Sequence, residues 1–140
     1  MKNALAALLT SIACLLVASP VQAGPVADIK STLATTRQHT MAMMSEDDHT
    51  VLDMRYDGAI KSSKDLDGLL ATALKNQSLR AAQPTLVQFK AVWDAFKKTR
   101  DDEIIPTLMS GSHLKARAMA FAVQAPRFKK MNELLESLPQ

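Results

Sequence analysis

From residue 26 onward the apolar positions recur every three or four residues, and no stretch sustains an alternation of period two. Val26, Ile29 and Leu33 begin one stripe, which continues through Thr36, Thr40 and Met43. Leu52, Tyr56, Ala59, Ser63, Leu66, Leu70 and Ala73 form a second. Leu86, Phe89, Trp93 and Phe96, with Ile104 beyond them, form a third, and Leu114, Ala118, Phe121, Ala125, Phe128 and Leu135 a fourth. Residues spaced in this way share one face of an α-helix. The breaks between stripes carry helix-end signals. Ser45 precedes Glu46-Asp47-Asp48, whose carboxylates complement the positive end of a new helix dipole. Gln83-Pro84 opens the third stripe, and a proline in the first turn forfeits no helical bond. Ser110-Gly111-Ser112 divides the third stripe from the fourth. The spacing predicts helices over 26–44, 47–77, 84–108 and 112–137. Connections this short favour antiparallel neighbours, so the expected fold is all-α: an antiparallel up-down-up-down four-helix bundle. Pro106 and Pro126 fall inside predicted helices. Each lacks an N–H and crowds the preceding turn, so each is expected to kink its helix or, at Pro106, to end it early.

The first 23 residues read differently. Lys2 is followed by an uncharged, mostly apolar run over residues 4–18, then Pro20 and Val21-Gln22-Ala23. Small residues at the last and third-last positions suit signal peptidase, so residues 1–23 are expected to be a cleavable leader and residues 24–140 the mature domain, exported to the periplasm. The apolar run is short for a membrane span, and no later stretch is longer, so the mature chain is not expected to insert in a membrane. Cys14, the one cysteine, lies in the leader with Ser11 where a lipoprotein signal wants an aliphatic residue. The mature domain therefore has no disulfide and must rely on a packed core.

Composition narrows the function classes. Apolar residues make up 47% of the chain and charged residues 22%, a globular balance. The formal charge of +3 is small and its cations are scattered, which does not suit a nucleic-acid partner. No Gly-rich phosphate loop and no Cys-x-x-Cys-His haem motif occurs. Ser110-Gly111-Ser112-His113 places serine beside histidine in a turn, as a helix cap does, with no orienting acid alongside. Asp101-Asp102-Glu103 lacks metal-ligand spacing and reads as a solvated face. No catalytic residue, no cofactor and no enzymatic activity are expected. One run invites a metal reading: His39, Met43, Met44 and His49 combine imidazole with thioether, which suits Cu(I). The competing reading puts Met43 and Met44 in the end of the core.

The segment from Leu86 to Leu138 holds the most distinctive pattern. An aromatic residue, Trp93 and a further aromatic lead into IIPTLMSG, and a small-residue-rich helix then ends in RFKKMNELLESL. This resembles the second half of the four-helix-bundle sensor domain of bacterial methyl-accepting chemotaxis receptors, and the resemblance extends more weakly over residues 26–80. It implies a domain that senses or binds a small molecule or a protein partner, here free-standing, without the transmembrane and signalling regions. Receptor bundles place anion-binding arginines on their first helix, so Arg37, beside Thr36 and Thr40, and Arg117 early in the fourth helix are the expected ligand contacts. The resemblance also implies a weak homodimer along helices 1 and 4. The alternatives from other classes are a periplasmic copper-binding protein using the run 39–49 and a structural or assembly bundle that binds only proteins.

Overall fold

The computed structural model describes residues 24–138, and among them every regular element is helical. The expected leader lies outside the described residues. Helix α1 spans Pro25–Met43 and α2 spans His49–Lys75; a 3-10 turn, Gln77–Ala82, then leads into α3, Gln83–Thr99. Helix α3 continues through a π-helical turn, Arg100–Ile104, into α4, Ile105–Met109. After the turn at 110–112, α5, His113–Met119, continues through a second π-helical turn, Ala120–Gln124, into α6, Ala125–Glu136. The described chain is thus four helical limbs: α1, α2, α3–α4 and α5–α6. None of these helices is long and apolar enough to cross a membrane.

Local chemistry sets the limb ends. The Asp48 carboxylate accepts from the N–H groups of Thr50 (2.8 Å) and Val51 (3.2 Å), so α2 opens at His49 rather than at residue 47. A short acidic side chain in this position satisfies amides that the first turn leaves unpaired. Gly111 has φ of 79°, a conformation open to a residue without Cβ, and it turns the chain from α4 into α5.

Neither internal proline ends its limb. The N–H of Ile105 reaches the carbonyl of Arg100, and that of Ala125 reaches the carbonyl of Ala120, each five residues back. Pro106 and Pro126 follow directly. A prolyl ring in an unbroken α-helix collides with the carbonyl four residues earlier, and one widened turn ahead of it relieves that crowding. The widened turn has a second effect. One extra residue rotates all later side chains by about 100° relative to those before it.

That rotation splits the fourth predicted stripe, whose first four positions, up to Ala125, face outward. Leu114 is 82% exposed and Phe121 66% exposed, and Ala118 and Ala125 are exposed with them. Ahead of the turn the core takes Ala116 and Gln124 instead, whereas beyond it Leu135 of the predicted stripe is buried with Met131 and Leu134, and Phe128 packs half-buried against the larger cluster. From Ala116 through half-buried Ala120 to Gln124 the inward positions are four apart, a spacing that the π turn keeps on one face.

The buried side chains fall into two apolar clusters. Val26, Ile29, Leu33, Leu66, Leu70, Leu86, Phe89, Trp93, Phe96, Met131 and Leu135 belong to the larger one. Met43, Met44, Leu52, Ile104, Ile105, Leu108 and Ala116 make the smaller one. Buried polar residues lie in sequence between the two: Thr36, Thr40, Ser62, Ser63, Thr99, Arg100 and Gln124. Both π turns fall at this polar belt.

Candidate functional site

The belt is built from side chains that find partners on neighbouring limbs. Thr36 Oγ1 donates to Ser62 Oγ at 2.9 Å, joining α1 to α2. Thr36, Thr40 and Ser63 also lie within hydrogen-bond reach of carbonyls one turn back, those of Thr32, Thr36 and Ala59. Arg100 has no exposed surface; its Nε and one amino group donate to the Asp101 carboxylate at 2.7 and 3.1 Å, and the other amino group donates to Ser63 Oγ at 2.8 Å. Gln124 Nε2 donates to the Phe96 carbonyl at 2.8 Å, and Arg127 donates to the Ala95 carbonyl and to Thr99 Oγ1. These bonds tie α6 and the second π turn to α3. Tyr56 lies beside this network. Burial pushes its phenol above the ordinary value, and the Asp101 charge adds to that rise while Arg100 opposes it.

Between α1 and the α5–α6 limb, beside the belt, lies a cleft of about 330 Å³. Its walls are mostly apolar. Met41 and Met44 contribute from the end of α1, and Phe121, Ala125 and Phe128 from the other limb. Phe96 and Ile104 reach it from α3 and the first π turn. The cleft exists because of the rotated register. The apolar stripe that periodicity assigns to the core, Phe121-Ala125-Phe128, runs along this wall instead.

Two arginines line the cleft. Arg117 Nε donates to the Met44 carbonyl at 2.8 Å. That bond satisfies an acceptor at the negative end of α1 and fixes the guanidinium at the mouth of the cleft. Among the described residues, its terminal amino groups have no protein acceptor. The Arg37 guanidinium sits 4.4 Å over the centre of the Phe128 ring and has no carboxylate partner among the described residues. No Asp or Glu is among the residues lining the cleft.

Of the residues expected to contact a ligand, Arg37, Thr40 and Arg117 line this cleft. Thr36 does not; it is fully buried and committed to Ser62. Sequence reasoning missed Met41, Phe121, Gln124 and Phe128 as lining residues. The available signal was Pro126 inside a helical stripe, which announces a local change of helical phase.

The metal reading finds its residues dispersed. Met43 and Met44 are packed into the smaller apolar cluster with Leu52 and Ile104. His49 is exposed at the start of α2. His39 packs against α2, where its ring fills the space left by the missing side chain of Gly58. Among the described residues, no group of three or more His, Cys, Asp or Glu is placed to hold a metal ion. The Ser110–His113 turn is structural: Ser110 Oγ donates to the Thr107 carbonyl at 2.7 Å, and Ser112, although it precedes α5, makes no side-chain cap. Comparison with known proteins gives no match to a family model, to a curated protein or to a solved structure.

Proposed function

We propose that this chain is an exported, non-catalytic, sensor-type domain that binds a small molecule in the cleft between α1 and the α5–α6 limb. The observation that carries this reading is the uncovered apolar wall. Phe121 is a large aromatic left two-thirds exposed beside a recess that two arginines and two methionines complete. A lone exposed hydrophobe needs no explanation, but a concave apolar surface with a few convergent polar groups is the usual form of a ligand site. The limbs follow an up-down-up-down course in this proposal. The larger cluster supports that course, because it gathers the start of α1, the end of α2, α3 as the first part of the third limb, and the end of α6. The smaller cluster gathers the opposite ends. The sensor-domain resemblance from Leu86 to Leu138 supports the same assignment.

Binding of a second copy is the weaker reading. An isologous pairing over this face would bring Arg37 and Arg117 of both copies together with no carboxylate in the cleft to compensate them. The test of the main reading is a thermal-shift screen of amino and organic acids on the mature domain and on Ala125→Trp. Ala125 is exposed on the cleft wall, so a larger side chain there fills the recess without entering the core. Compounds that raise the Tm of the parent and not of the variant support the site. A screen without hits, or hits equal in both proteins, contradicts it.

A further inference from the structure

We infer that the ligand of this cleft is an organic anion: one carboxylate-like head on an apolar body of one or two rings or a short chain. The inference rests on the cleft being a ligand site. Size comes first. About 330 Å³ is at the lower end of ligand pockets, which excludes a nucleotide or a long lipid. The walls come second. Met41, Met44, Phe96, Phe121 and Phe128 offer no hydrogen bonds from their side chains, so the body of the ligand must gain its affinity from apolar burial and ring contact.

Charge decides the head group. Arg117 is held by one nitrogen and presents its terminal amino groups to an acceptor. Arg37 lies on the Phe128 ring face, an arrangement that leaves the in-plane N–H donors of the guanidinium available. Both arginines sit at the rim and are exposed, so neither needs a protein partner when the cleft is empty. A carboxylate beside Arg117 gains a charge-assisted partner in a setting from which its own body excludes water, and Arg37, at the far end of the Phe121-Ala125-Phe128 wall, adds a longer-range attraction. A ligand bearing an ammonium group fares badly in the same place. It would meet two cations and no carboxylate, and the polar acceptors that remain are weak. Thr40 Oγ1 already donates to the Thr36 carbonyl, and Gln124 Oε1 lies 3.4 Å from Arg127. Free amino acids and amines are therefore the wrong class.

Three probes with the same ring system and different heads test this: naphthoate, naphthalenemethanol and naphthylmethylammonium, each titrated into the mature domain and followed by amide NMR. Naphthoate is expected to shift the amides of Met41, Phe121 and Ala125 and to bind about tenfold or more tighter than the alcohol, the gain of one charge-assisted contact. The ammonium compound is expected to bind more weakly than the alcohol. Arg117→Gln should bring naphthoate toward the affinity of the alcohol, and Arg37→Gln should weaken it less. Arg117→Lys, which keeps the cation, guards against loss of fold through the Met44 contact and should retain the preference. If the alcohol binds in the cleft as tightly as naphthoate, the anion assignment fails and the ligand site stands. If the ammonium compound binds best, or if naphthoate ignores both arginine substitutions, the assignment likewise fails. If no probe shifts the cleft amides at millimolar concentration, the site and the assignment fail together.

Discussion

Replacing Asp101 by Ala should destabilise the domain far more than replacing its partner, Arg100, by Met. Arg100 is fully buried at the first π turn, whereas the Asp101 side chain keeps 31% of its surface exposed. Removing the carboxylate deletes two charge-assisted bonds of 2.7 and 3.1 Å and leaves the guanidinium in the belt with only Ser63 for company. Breaking a fully buried pair from one side costs about 3–5 kcal/mol. Partial exposure of the carboxylate lowers that, and we expect about 2–3 kcal/mol. Arg100→Met removes the buried charge while keeping much of the volume, so its cost should be about 1 kcal/mol or less, because a well-packed apolar replacement of a buried ion is often neutral. Adding Asp101→Ala to Arg100→Met should then change little. Urea denaturation with an unchanged m-value measures all four corners of this cycle. A loss under about 0.5 kcal/mol for Asp101→Ala, or a larger loss for Arg100→Met than for Asp101→Ala, would refute the reasoning that the belt depends on compensating a buried guanidinium.

Gly58→Ala should destabilise the α1–α2 contact although alanine favours helix by about 1 kcal/mol, because the new Cβ would lie 2.7 Å from the His39 ring. His39→Ala should rescue it, so a double variant no more stable than Gly58→Ala would contradict that contact. Tyr56 makes stability fall in alkali. Its folded pKa lies above the unfolded value of 10.0, so the unfolded chain releases its proton first, and the stabilising difference, complete below pH 10, is lost as pH rises through the folded value. Denaturation midpoints of Tyr56→Phe should decline less over that range; parallel curves would sink the idea. Protein recovered from the periplasm should have an intact mass beginning at Gly24, and a mass retaining the leader would overturn the cleavage assignment.

The four limbs were legible in the sequence because each carries a run of three-four spacing closed by capping or breaking residues. Leu86, Phe89, Trp93 and Phe96 all fall in the larger cluster as their stripe requires. Thr36, Thr40 and Ser63 were legible as polar members of otherwise apolar stripes. What stayed hidden was the effect of proline on phase. Periodicity extrapolates a uniform helix across Pro126, yet the ring forces a widened turn, and the faces before and after it no longer align. The cleft follows from that turn, so the sequence pointed to Arg37 and Arg117 individually while concealing that Phe121, Ala125 and Phe128 form the wall between them. Thr36 illustrates the opposite error. Its neighbour Arg37 reaches the cleft, but a helix turns about 100° per residue, and that step carries Thr36 to the α2 side.

The most direct test of the central claim places a tryptophan at Phe121 in a Trp93→Phe background and records its fluorescence with and without naphthoate. Uniform helical spacing would bury this position, whereas the widened turn presents it to the cleft mouth. The account predicts solvent-like emission from the free protein and a blue shift as naphthoate is added, reached only at higher naphthoate concentration in Arg117→Gln. Blue-shifted emission already in the free protein, or emission that naphthoate leaves unmoved, would contradict it.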